Sequence, residues 1–183
     1  MQEEKTRRRS QSVVLGLGSN RSFAFQGKNL GPLEILERAC QALSGIFLPE
    51  SFSYSSVYKT KAMYYENQAD FYNMVVIGDY AGDPQSLLKK TQEIERLFGR
   101  DRTREIPKGP RSLDIDIVLF YDEIVQSPLL EIPHPRIKER AFVLLPLLEL
   151  LPESADPISG QLFKESLDLL AQEDIEIHKI NII

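Results

Sequence analysis

Arg111-Ser-Leu-Asp-Ile-Asp-Ile-Val-Leu-Phe120 alternates acidic and apolar side chains, the period of a β-strand. Side chains along a strand point to opposite faces with a rise of roughly 3.3 Å per residue, so the Cα atoms of Asp114 and Asp116 stand about 6.6 Å apart on one face. Leu113, Ile115 and Ile117 pack on the other, and Val118, Leu119 and Phe120 make the strand a core element. Two carboxylates placed this way have two readings. They decorate the wet face of an antiparallel strand, as acids commonly do, or they hold a divalent metal. The preceding residues favour the metal. Arg100, Arg102, Arg104, Lys108 and Arg111 crowd a segment whose only acids are Asp101 and Glu105. Acids for a metal, a metal for phosphate oxygens, and planar guanidinium forks for the remaining charge together describe a polyphosphate site.

Outward from this strand the chain alternates helices and strands. Upstream, Asp83-Pro84 starts a helix running to about Gly99, and Asp70 to Tyr80 reads as a strand. Ser51 to Tyr58 alternates as another strand. Gly31-Pro32 introduces a helix from about Leu33 to Leu43 with Leu33, Leu36 and Leu43 on one stripe, and Val13 to Ser19 is the first strand. The order β-α-β-β-α-β predicts an α+β fold, a ferredoxin-like antiparallel sheet covered by helices. Beyond it, Phe142 to Leu150 and Gln161 to Ala171 form a predicted C-terminal helical extension, punctuated by Pro152 and Pro157.

With 183 residues and 42% hydrophobic content, the chain suffices for one domain; a chain of this size buries about 70% of its unfolded surface. Residues 13–183 are expected to form that domain, behind a disordered tail, residues 1–12, that carries Arg7-Arg8-Arg9. A net charge of −5 argues against a nucleic-acid partner, whose binding rests on a broad excess of Lys and Arg. Cys40 is the only cysteine, which excludes an intramolecular disulfide and a Cys/His zinc site and fits a reducing cytoplasm. The apolar run Val13 to Leu17 is too short for a signal peptide core or a membrane span. No membrane association is expected, and the chain is expected to act as a monomer. Gly16-Leu-Gly-Ser-Asn20 matches neither a Walker loop nor a dinucleotide fingerprint. Gly16 and Gly18 either admit close approach of backbone to a ligand or permit a tight exit from the sheet.

Taken in order, Gly16-Leu-Gly-Ser-Asn20, Ser55-Ser-Val-Tyr58, Phe71-Tyr-Asn73, Gly109-Pro-Arg-Ser-Leu-Asp-Ile-Asp116, Pro133-His134 and Arg140-Ala-Phe142 resemble the 6-hydroxymethyl-7,8-dihydropterin pyrophosphokinase family. The likeness runs from about Val13 to Pro152, and Gly109 to Asp116 is its most specific part. It implies a folate-pathway enzyme that moves a pyrophosphoryl group from ATP to the pterin hydroxymethyl oxygen and releases AMP. It further implies two magnesium ions on Asp114 and Asp116, with Arg102 and Arg111 joining them in catalysis. Gln92, Glu95, Arg100 and Ile117 fall at the family's ATP-binding positions, as do Arg102, Arg111, His134 and Arg140. For the pterin, the resemblance implies stacking between Phe71 and Phe142, reading of the ring edge by Asn73, and backbone groups from Thr60 and Met63.

Residue chemistry alone reads some of these positions differently. Gln92 and Glu95, three apart on a helix, share a face that without the resemblance would be an exposed polar one. Phe71 and Phe142 would be core, the usual fate of Phe. His134, between Pro133 and Pro135, sits in a loop, where a donor to a phosphate oxygen is favoured over a metal ligand. Asn73 donates and accepts together, which suits a mixed heterocycle edge.

The chain departs from the family at Lys61-Ala-Met-Tyr-Tyr65, where a proline is often found, and at Lys108, where some members carry tryptophan. The loop Asp101 to Lys108 is about one residue longer than in familiar members; with Arg102 and Arg104 it is expected to close over the phosphates. Arg21 to Gly31 is also longer, and its Phe23-Ala-Phe25 reads as a lid, a contact surface or a poorly ordered loop. The competing hypothesis is a catalytically silent ferredoxin-like binding or regulatory domain, against which the retained aspartates and cations argue.

Overall fold

The computed structural model describes residues 12–61, 69–101, 109–170 and 177–180. The expectation of a disordered tail falls on residues outside these. Along the chain run β1 (Val13–Ser19), a hairpin of β2 (Phe23–Phe25) and β3 (Lys28–Leu30), helix α1 (Pro32–Ser44), β4 (Ser53–Tyr54), β5 (Val57–Thr60), β6 (Phe71–Gly78) and α2 (Pro84–Leu97). β7 (Asp114–Phe120), a small hairpin of β8 (Val125–Gln126) and β9 (Glu131–Ile132), a 3-10 turn (Ile137–Glu139), α3 (Ala141–Leu150), α4 (Phe163–Leu170) and β10 (Ile177–Ile180) follow. The main sheet has the order β10-β5-β6-β1-β7, with β4 also on β6, and every pairing in it is antiparallel. Strands β5, β6, β1 and β7, with helices α1 and α2, reproduce the predicted ferredoxin-like arrangement.

The helices form where the sequence signals them. In α1, Pro32 opens the first turn, the Glu34 carboxylate accepts the Gly31 N–H at 2.9 Å, and Ile35, Leu36, Ala39, Cys40 and Leu43 are buried. In α2, Asp83 caps the start by accepting the Ser86 N–H at 2.7 Å, and Pro84 fixes the first φ. Two departures are informative. The strand expected over Ser51 to Tyr58 is interrupted at Ser55, whose N–H donates to Val75 O at 2.9 Å while its hydroxyl accepts the Val75 N–H at 3.0 Å, a side chain substituting for the broken ladder. Beyond the expected C-terminal helices, the chain returns to the sheet as β10 beside β5.

The two faces of the sheet hold separate cores. Leu15, Leu17, Met74, Val76, Ile115 and Ile117 pack under α1 and α2. On the other face Val14, Val75, Ile77 and Val118 lie under α3 and α4, against Leu144, Leu147 and Phe163; each such fully buried leucine or phenylalanine contributes about 1.5–3 kcal/mol. This second core covers only one end of its face. At the other end the same rows of side chains continue as Gly16, Gly18, Asn73, Asp114 and Asp116, with Gly18 paired to Asn73 on one side and Asp114 on the other, and α3 begins beside them. A shift in register between Val14 and Leu15 marks the boundary.

Phe23-Ala-Phe25 is one strand of a hairpin packed against the body of the chain. Gln26 and Gly27 both have positive φ, 49° and 80°, as a two-residue hairpin turn demands. The Phe25 ring stacks on Phe98 at 5.4 Å between centroids, the Arg38 guanidinium lies 5.9 Å from the Phe25 centroid, and Leu30 enters the core.

Candidate active site

Helix α2 ends in a left-handed turn at Gly99, φ 82°, with the Arg100 N–H bonded to Glu95 O at 3.0 Å. The turn brings Arg100 back against the start of β7. Its guanidinium pairs with both the Glu95 and the Asp114 carboxylates, and Glu95 also accepts the Ile115 amide at 2.8 Å. Glu95 and Arg100 are 1% and 8% exposed, so the polar helix face expected from residue type is an internal bracket. Arg111 supplies a second guanidinium to Asp114. Its main chain is held at both ends: its N–H donates to Asn20 Oδ1 at 2.7 Å, and its carbonyl accepts the Asn20 and Arg21 amides at 3.0 and 3.1 Å. Burial pushes the Asp114 carboxyl up; Arg100 and Arg111 together outweigh it and hold the group below the usual carboxylate range.

Asp116 lies in a different field. Arg140 Nη1 is 3.0 Å and His134 Nε2 is 3.9 Å from its Oδ2. Burial and the neighbouring Asp114 charge raise its pKa, against the pull of His134 and Arg140. His134 is tied to β7 through its N–H to Val118 O at 2.9 Å, and its Nδ1 accepts the Arg136 N–H at 3.1 Å. A neutral ring accepting at Nδ1 carries its proton on Nε2, facing Asp116. Burial and Arg140 lower the His134 pKa, which keeps the ring neutral near pH 7. The donor chemistry fits a divalent cation: two hard oxygen ligands share one face, and a bound cation relieves the repulsion that raises Asp116. No cluster of three or more metal-ligating side chains occurs among the described residues, so phosphate oxygens and water would complete the shell.

Beside the carboxylates opens a pocket of about 240 Å³, lined by Gly16, Gly18, Thr60, Phe71, Asn73, Arg111, Asp114, Asp116, Arg140 and Phe142 among others. Its floor is bare backbone at the glycines. A Cβ on Gly18 would sit 3.2 Å from Asn73 Oδ1, so a side chain there would crowd the amide that lies across the strand. Asn73 Nδ2 donates to Thr60 Oγ1 at 3.0 Å. Phe71 and Phe142 are half-buried pocket walls rather than core, and the Arg140 guanidinium lies 5.7 Å from the Phe142 centroid.

The structure thus gathers Thr60, Phe71, Asn73, Arg111, Asp114, Asp116, Arg140 and Phe142 around one cavity, with Arg100 and His134 touching its carboxylates. Ile117 turns its side chain into the core, which leaves only its main chain for a ligand. Gln92 is half-buried on α2 and does not line the pocket. Met63 and Arg102 lie outside the described residues, as do Arg104 and Lys108. Sequence reasoning missed Lys61, Arg136 and Glu139, which line the pocket, and the bracing role of Asn20. Arg136 and Glu139, joined at 3.0 Å, fall between His134 and Arg140, and that proximity in the chain was the available signal.

An acidic pair held by guanidiniums lies on one sheet face beside an aromatic-walled slot, the make-up that a phosphoryl-transfer site requires. Comparison with known proteins gives this class a family. The family model for 7,8-dihydro-6-hydroxymethylpterin-pyrophosphokinase (HPPK) matches residues 14–152, and the chain belongs to that family. It is 36% identical over 158 residues to the 2-amino-4-hydroxy-6-hydroxymethyldihydropteridine pyrophosphokinase of Aquifex aeolicus, covering 84% of this chain and 89% of that one. The Bacillus subtilis protein of the same name is 41% identical over 133 residues, covering 72% and 78%. Folic acid synthesis protein fol1 of Schizosaccharomyces pombe is 39% identical over 83% of this chain, which spans only 21% of that longer protein. Among solved structures, Plasmodium falciparum HPPK-DHPS superposes with a TM-score of 0.66 at 17% identity, over 94% of this chain and 48% of the other, a likeness of fold. Pyrophosphoryl transfer to hydroxymethyldihydropterin, in folate biosynthesis, is the activity that family membership assigns.

Proposed function

We propose that this chain transfers the pyrophosphoryl group of ATP to the hydroxymethyl oxygen of 6-hydroxymethyl-7,8-dihydropterin, releasing AMP, with two magnesium ions held by Asp114 and Asp116. The observation that carries this reading is the joining of the acidic pair and its cations to the aromatic slot in one cavity. Magnesium on the two carboxylates would supply charge neutralisation of the phosphate oxygens and acidify the attacking hydroxyl. Phe71 and Phe142 stack the pterin, and the Asn73 amide, held by Thr60, reads its edge. Arg100, Arg111 and Arg140, now spent on carboxylates, are the donors that phosphate oxygens would take over, with the His134 Nε2–H beside them. Arg102, which follows α2 in the chain, is proposed with Arg104 to close over the phosphates. Such a site works by alignment and electrostatics and needs no protein nucleophile.

AMP release that requires both hydroxymethyldihydropterin and magnesium is the test; release independent of the pterin would overturn the proposal. The reading includes a cytoplasmic monomer. Cys40 is the single cysteine and a buried free thiol, which fits a reducing compartment, and among the described residues no helix is long and apolar enough to cross a membrane. Light scattering of the purified chain checks the monomer.

A further inference from the structure

The family model ends at residue 152, yet the chain beyond it returns to the working part of the sheet. β10 pairs along the whole of β5, in the register Ile177 to Thr60, His178 to Lys59, Lys179 to Tyr58 and Ile180 to Val57. β5 is four residues long, and Thr60, at its end, is the residue whose hydroxyl receives the Asn73 amide. On its other edge that end is held by Thr60 pairing with Phe71 and Tyr58 with Asn73. Both pterin-side strands are therefore registered against each other at the residues that form the slot, and β10 closes the flank of the shorter one.

A polar knot fastens this arrangement to α3, the helix that brings Phe142. Glu149 accepts from Ser56 N at 3.2 Å, Ser56 Oγ at 2.8 Å and Tyr58 Oη at 2.9 Å, and Lys179 Nζ of β10 lies 3.4 Å from the same carboxylate. One side chain thus joins the helix of Phe142, the strand of Thr60 and the C-terminal strand. An unpaired edge beside so short a strand leaves its end free to fray.

We propose that β10, through its pairing with β5 and the Lys179–Glu149 contact, is a positioning element that sets Thr60 and the Asn73 amide against the heterocycle and so tunes recognition of the pterin but not of the nucleotide. The inference rests on the pterin reading of the slot. Lys179 and Glu149 act as positioning residues, and neither lines the pocket.

Two variants test it: a chain stopped after Leu170, which lacks β10, and full-length Lys179→Glu, which sets two carboxylates against each other at the knot. With steady-state AMP release as readout, truncation is expected to raise the KM for hydroxymethyldihydropterin about tenfold, the effect of losing one well-placed hydrogen bond, and to leave the KM for ATP within about twofold. Lys179→Glu is expected to move the same constant in the same direction by a smaller factor. Equal rises in both KM values, or an unchanged pterin KM in Lys179→Glu with a truncated chain that does not fold, would overturn the inference. An intact chain with no pterin-dependent AMP release would instead refute the functional reading. An active intact chain whose truncated form keeps its pterin KM refutes the role of β10 alone.

Discussion

Replacing Asp116 by asparagine keeps the side chain's shape and removes its charge, and it separates catalysis from stability. A unit charge about 4 Å from a cation, at an effective dielectric near 20, contributes about 4 kcal/mol. At about 1.4 kcal/mol per decade, losing one carboxylate charge from the pair proposed to hold magnesium is expected to lower kcat about a thousandfold. Stability moves otherwise. The folded-state pKa of Asp116 is raised, by burial and by Asp114, so the native state binds this proton more tightly than the unfolded chain does. Below the unfolded pKa the group contributes nothing against folding. As pH rises from the unfolded toward the folded pKa, the unfolded chain gives up its proton first and stability is lost, fully so once the folded pKa is passed. Asp116→Asn removes it while giving up the Arg140 pair, so the variant is expected to melt within a few degrees of the parent at pH 7, with the comparison shifting in the parent's favour toward acid. The assays are AMP release under saturating magnesium and thermal melts from pH 3 to 8. A kcat reduced less than about tenfold would refute the metal role; a large loss of Tm at pH 7 would refute the electrostatic account.

Asp114 runs the opposite way: its pKa is lowered, so it adds stability above its unfolded pKa that is lost as pH falls through the folded value, and Asp114→Asn should destabilise at neutral pH and flatten the acid limb of a pH melt. Glu95→Ala strips the buried partner of Arg100 and the acceptor of the Ile115 amide; about 3 kcal/mol of destabilisation is expected in urea unfolding, and a loss under 1 kcal/mol contradicts the bracket. For Asn73→Ala the pterin KM should rise about ten- to a hundredfold with ATP affinity little changed, and equal losses for both substrates would reassign the residue. Gly99→Ala forces a side chain into a left-handed turn and onto the Phe23 ring, with an expected cost of about 1–3 kcal/mol seen as a lower Tm; an unaltered melt would show that the hairpin yields.

The order of strands and helices could be read because its signals are local: the alternation through Asp114 and Asp116, proline and aspartate at helix starts, glycine at the end of α2. The interruption at Ser55 was hidden because a serine in a strand gives no sign that its hydroxyl will replace a ladder bond. β10 was hidden because four residues carry too little pattern to compete with the helices before them, and its partner strand lies over a hundred residues away. At the site, charge type foretold the guanidinium cluster, but its pairing was not foreseeable. Residue type alone placed Glu95 on an exposed polar face and the resemblance made it an ATP contact; only the turn at Gly99 brings Arg100 and β7 onto it as a buried partner. Phe71 and Phe142 show the converse, where residue type pointed to core and the resemblance supplied the slot. Ile117 was named as a contact without regard to the alternation that sends its side chain away.

The glycines beneath the slot also constrain any molecule built to fill it. With Gly16 and Gly18 contributing no side chains, the base there is a strip of peptide. A planar head seated there has Arg111 and Arg140 to one side, and an added anionic group would have to compete with Asp114 and Asp116 for them. A side chain introduced at Gly18 would press on the Asn73 amide, the group proposed to read the pterin edge.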